Sequence, residues 1–64
     1  MWTHIRTAPN KVIAETWCEL LEEQGIPTRI ELDEDEAHLG DLARQRIFVP
    51  RDRVKVAEEI LRTM

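Results

Sequence analysis

The stretch IAETWCELLEEQGIPTRIEL, residues Ile13 to Leu32, decides the fold. At 100° per residue, Ile13, Ala14, Trp17, Leu20, Leu21 and Gln24 fall within one arc of roughly 120°, while Glu15, Glu19, Glu22 and Glu23 fall opposite. That separation predicts a helix laid with one stripe on a sheet. Gly25 stands at the C′ position, where the left-handed backbone of a helix end favours a residue without Cβ, and Pro27 prevents continuation. The period then changes to two. Ile26, Thr28, Ile30 and Leu32 share one side and Pro27, Arg29, Glu31 and Asp33 the other, which predicts a strand with one core face. A proline at its start marks it as an outer strand.

Towards the N-terminus, Met1 to Thr7 alternates, with Thr3, Ile5 and Thr7 on one side and Trp2, His4 and Arg6 on the other. Ala8-Pro9-Asn10 breaks this strand, and Asn10 is the expected N-cap of the first helix. Towards the C-terminus, Asp33 to about Arg44 reads as an acidic loop, long for so small a domain. A third strand is expected from Gln45 to Val49, closed by Pro50. Asp52 is the expected N-cap of a second helix, whose Val54, Ala57, Ile60, Leu61 and Met64 form one arc with Lys55, Glu59 and Arg62 opposite. The order is β-α-β-β-α.

Two parallel strands joined through a helix cross over right-handedly, which places both helices on one face of a three-stranded sheet. The other face is then open. If Ile5, Ile30, Ile47 and Val49 look towards the helices, alternation sends Trp2, His4, Arg6, Arg29, Glu31, Arg46 and Phe48 to the open face. Two large aromatics on an uncovered face mark an interaction site, because small soluble monomers seldom leave such apolar area in water. Trp2, His4, Arg6, Arg46 and Phe48 are therefore the candidate residues for binding a partner or effector.

Composition narrows what such a face can do. The 64 residues make one domain, 1–64, and a chain of that size buries only about 60% of the surface its unfolded form exposes. The single cysteine, Cys18, excludes an internal disulfide, and one thiol with two distant histidines makes no structural zinc site. Oligomerisation is the support that remains. The N-terminus carries no basic-then-apolar segment and no apolar run is long, so neither a signal peptide nor a membrane span is expected, and the expected location is the cytoplasm. Residues 1–43 hold ten acidic and three basic side chains and residues 44–64 six basic and three acidic, for a net charge of −4. An acidic protein repels a phosphate backbone as a whole, which disfavours nucleic acid without removing a local basic patch.

No chemistry is written into the chain. Nothing pairs a nucleophile with a base or sets two carboxylates in a defined site, so no enzyme and no cofactor is expected. Asp33, Glu34, Asp35, Glu36 and His38 lack the glycine and spacing of a calcium loop and read as solvated acids rather than a metal site. Cys18, at the rim of the helical stripe beside Trp17, reads as inert packing. His4, near Arg6 and Arg46, could bind an anion or report pH, against plain exposure or packing between copies.

Pro9-Asn10 before a helix, Ala14-Glu15, Leu20-Leu21-Glu22, Gly25-Ile26-Pro27, and Val49-Pro50 before a final helix with Ala57 and Leu61 together resemble a family of small prokaryotic proteins labelled signal-transducing, a domain of unknown function. The resemblance covers nearly the whole chain and rests on the order and spacing of generic element ends. It implies a ferredoxin-like α+β fold, related in shape to the nitrogen-regulatory PII proteins, and carries over no catalytic residue. The acidic middle loop, Trp2 and His4 depart from the family pattern. In a ferredoxin-like sheet strand one lies beside strand three and a fourth strand covers its far edge. With no fourth strand after the second helix, strand one is expected to keep an unpaired edge, which natural proteins seldom leave unprotected. A homodimer through strand one, the open face, or both is the expected remedy. The expected function is a non-catalytic regulatory or interaction module that binds a protein partner or small effector through the open sheet. The alternative is RNA or other single-stranded nucleic acid, with Trp2 and Phe48 stacking bases and Arg6, Arg29 and Arg46 meeting phosphates.

Overall fold

A computed structural model describes residues 1–63, and Met64, expected on the stripe of the second helix, lies outside the described residues. Along the chain run β1 (Trp2–Ala8), α1 (Lys11–Glu23), β2 (Arg29–Leu32), a series of 3₁₀ turns (Glu34–Leu42), β3 (Gln45–Pro50), a 3₁₀ turn (Arg51–Arg53) and α2 (Val54–Arg62). The fold is α+β with a three-stranded antiparallel open sheet in the order β1-β3-β2. Among the described residues no helix is long and apolar enough to cross a membrane.

The ends of α1 form as their residues dictate. The Asn10 side chain accepts the Ile13 backbone N–H at 3.0 Å, satisfying one of the donors a helix start leaves free. At the other end Gly25, at φ +79°, donates its N–H to the Glu22 carbonyl at 2.9 Å, and Ile26 donates to the Leu21 carbonyl at 2.9 Å. That pair of bonds is the Schellman arrangement, and Leu21 and Ile26, the residues it ties together, are both fully buried. The helix end is thus locked by backbone bonds and by core packing at once.

Both helices pack on the sheet face that carries Ile47 and Val49. Ala14, Cys18 and Leu21 from α1, Ala57 and Leu61 from α2, and Ala8, Ile26, Ile47 and Val49 form the buried core, with Ile5, Ile13, Trp17, Val54 and Ile60 packed against it. Burying each of the large members, Leu21, Ile26, Ile47 and Val49, contributes about 1.5–3 kcal/mol. The buried line of α1 runs through Cys18, which is therefore in the stripe rather than at its rim, while Gln24 is exposed.

Four further expectations differ from the structure. The acidic segment is not a plain loop: the Asp33 side chain accepts the Asp35 N–H at 3.0 Å, and Glu36 accepts both the backbone N–H (3.0 Å) and Nε (2.7 Å) of Arg44. These bonds fold it into 3₁₀ turns broken at Gly40, whose φ of +60° and ψ of −126° suit a residue without Cβ. Asp52 does not cap α2, because a 3₁₀ turn takes up Arg51–Arg53 and leaves Arg53 at the N-cap without a side-chain bond. Ile30 and Leu32 stay 37% and 42% exposed, although they pair with Ile47 and Gln45, because β2 is an outer strand at the margin of the helical layer. Finally, β1 does not alternate strictly: its register against β3 shifts between His4 and Arg6, which decides what lies on the open face.

Candidate functional site

The helix-free face of the sheet is built on β3, where Phe48 and Arg46 alternate with the buried Ile47 and Val49. Residues directly opposite one another in an antiparallel pair share a face. His4 stands opposite Phe48 and Arg29 opposite Phe48 from the other side, so His4, Phe48 and Arg29 form a row across all three strands. The next row is Thr7, Arg46 and Glu31, and Trp2 faces Pro50 at the end of the ladder. The His4 and Phe48 rings lie 5.5 Å apart, tilted by 49°. Trp2 keeps 43% of its surface exposed. One end of the face is therefore aromatic and the other is polar.

Arg6 is not on it. The β1–β3 register slips between His4 and Arg6, so that Arg6 stands opposite Ile47, whose side chain is in the core. The extra residue is a β-bulge, and it turns Arg6 to the helix side. There its guanidinium carbon lies 5.5 Å from the centre of the Trp17 ring on α1, a cation–π contact. Strict alternation, which puts Arg6 with Trp2 and His4 and Thr7 with Thr3 and Ile5, fails for both residues beyond this one bulge. Thr7 replaces it on the open face and accepts or donates a hydrogen bond with His4 Nε2 at 3.0 Å. Of the five candidates, Trp2, His4, Arg46 and Phe48 share the face.

The charges there are largely answered within the face. Arg29 Nε lies 3.7 Å from a Glu31 carboxylate oxygen and Arg46 lies 4.0 Å from Asp33. Arg46 also lines a polar depression of about 350 Å³ with Glu31, Asp33, Glu34 and Asp35, so a guanidinium occupies the surroundings in which these carboxylates could have met a cation. Among the described residues no three His, Cys, Asp or Glu side chains converge to hold a metal ion. On the other face, burial pushes the Cys18 thiol up from its ordinary range, Thr28 draws it partly back, and Glu22 and Glu15 push it further.

No family model, no curated protein and no solved structure matches this chain.

Proposed function

We propose that this protein is a non-catalytic regulatory or interaction module of ferredoxin-like type, akin to the small signal-transducing proteins its sequence resembles, and that it works as a homodimer through β1. The observation that carries the proposal is the placing of Trp2, His4 and Phe48 together on the helix-free face, next to the outer edge of β1. β1 is seven residues long and pairs only on its β3 side among the described residues. An edge of that length invites a second strand. Pairing with a second copy would satisfy the free backbone groups and cover Trp2, an aromatic of the type that anchors interfaces. The remaining open surface around Phe48 and Arg46 would then present a continuous platform to a protein partner or small effector.

Binding of single-stranded nucleic acid is supported less well. Arg6 faces the helices, and the two arginines that remain on the sheet, Arg29 and Arg46, lie beside carboxylates. A net charge of −4 opposes approach to phosphates. Sedimentation over a range from low to high micromolar tests the main proposal. A dimer that dissociates on dilution is expected, and a monomer throughout would refute it.

A further inference from the structure

A second surface lies on the helix side of the sheet, at the edge opposite β1. A groove of about 630 Å³ runs between α1 and β2, with Val12, Glu15, Glu19 and Glu22 on the helix and Thr28 and Ile30 on the strand side. Val12 is 68% exposed and Ile30 37%, so the groove offers uncovered apolar carbon. Its three glutamates stand one turn apart along α1, and among the described residues none of them is in an ion pair. Among the described residues the outer edge of β2 is unpaired, because β3 lies on its other side.

We propose that this groove receives an extended, arginine- or lysine-rich segment of a partner protein, which adds to β2 as a further strand. Strand addition supplies affinity through main-chain hydrogen bonds to the free edge, and the neighbouring side chains select the sequence. The spacing suits a basic strand. Glu15 and Glu19 are about 6 Å apart along the helix axis at 1.5 Å per residue, and same-face residues of a strand repeat every ~6.8 Å. Two basic residues at i and i+2 thus match two successive carboxylates. Their aliphatic stems cover Val12 and Ile30 while their heads reach the glutamates, the usual division of a long cationic side chain. An acidic segment would meet three unneutralised carboxylates and be turned away. The groove and the β1 edge lie on opposite sides of the sheet, so this proposal does not depend on the dimer.

The test uses the full chain and a capped hexapeptide of alternating valine and arginine. Amide shifts are expected along Val12–Glu22 and Arg29–Leu32, with binding that weakens as salt rises. The triple variant E15Q/E19Q/E22Q, altered only at exposed positions, is expected to fold and to bind about tenfold more weakly. N-methylation of the peptide on one alternate set of residues, the set facing β2, should abolish binding while the other set is tolerated. Shifts confined to the acidic turns Glu34–Leu42 or to Trp2 and Phe48 would overturn the proposal. So would equal binding of a valine–glutamate hexapeptide, unchanged affinity in the triple variant, or equal binding by the two N-methylated peptides.

Discussion

His4 Nε2 lies 3.0 Å from Thr7 Oγ1 although the two residues are three apart in one strand. In a regular strand, residues an odd number apart face opposite ways. The contact exists because the bulge between His4 and Arg6 inserts one residue and returns Thr7 to the face of His4. The same insertion carries Arg6 across to Trp17. One irregularity in β1 therefore fixes both which residues make up the open face and what packs on the helix beneath the sheet.

Arg6→Ala should behave as a change in the helix-side packing rather than in the binding face. It removes the contact with Trp17 and is expected to cost about 0.5–1 kcal/mol, which lowers the melting temperature by a few degrees in a domain of this size. Self-association measured by sedimentation should not change. A variant that keeps its melting temperature and loses association would place Arg6 back on the interface.

Trp2→Ala should do the reverse. Trp2 is 43% exposed and outside the core cluster, so the fold tolerates its loss. If Trp2 anchors the interface between copies, truncation weakens the dimer by roughly tenfold or more. Parallel thermal melts and sedimentation of Trp2→Ala and Arg6→Ala separate the two roles, because each variant is expected to move only one of the readings.

Gly25→Ala and Leu21→Ala strike the two ends of one helix-stop device. At φ +79° an alanine at residue 25 meets no neighbouring atom within 4 Å, so its cost is that of the backbone conformation alone, roughly 1–2 kcal/mol. Leu21→Ala leaves a cavity in the core and should cost about 2–5 kcal/mol. Denaturant unfolding that finds Gly25→Ala the more damaging of the two would contradict the packing described for Leu21 and Ile26.

How far these features could be read from the residues follows from how local their causes are. Asn10, Gly25 and Pro27 act on backbone within a few residues, and the helical period survives in α1, while β2 keeps the alternation of faces but not the one-sided burial. Cys18 and Gln24 exchange roles because the stripe of α1 is rotated slightly towards Cys18 by the way Ala14, Cys18 and Leu21 meet β3 and α2, and no local residue encodes that rotation. The bulge at Ile5 is marked by neither glycine nor proline. It is fixed by distant partners, Trp17 for Arg6 and the core for Ile5, so alternation alone misassigns Arg6 and overlooks Thr7. The acidic turns likewise depend on Glu36 reaching Arg44, eight residues away. The α1–β2 groove depends on where the outer strand lies relative to the helix, although Glu15, Glu19 and Glu22 are visible in the chain as one acidic side.

The Glu36–Arg44 contact should make the acidic turns sensitive to pH. Hydrogen bonds from the Arg44 side chain and backbone hold the Glu36 carboxyl below its ordinary range, with the charges of Arg44 and His38 adding in the same direction. A carboxyl whose value is depressed in the folded protein contributes ordering that is present above the unfolded value, about 4.3 for a glutamate, and that is lost as the pH falls through the lower folded value. Acidification should therefore loosen the closure at Asp33, Glu36 and Arg44 before the core responds. Protection of the Arg44 amide, taken relative to the unprotected exchange rate at the same pH, is expected to fall below that range while that of Ile47 does not. Glu36→Gln keeps one acceptor for the Arg44 N–H but has no proton to gain, so in that variant the Arg44 amide should exchange faster than in the parent at neutral pH and show a weaker acid dependence. If the Arg44 amide shows the same acid dependence in both proteins, Glu36 is not the group that closes the turns.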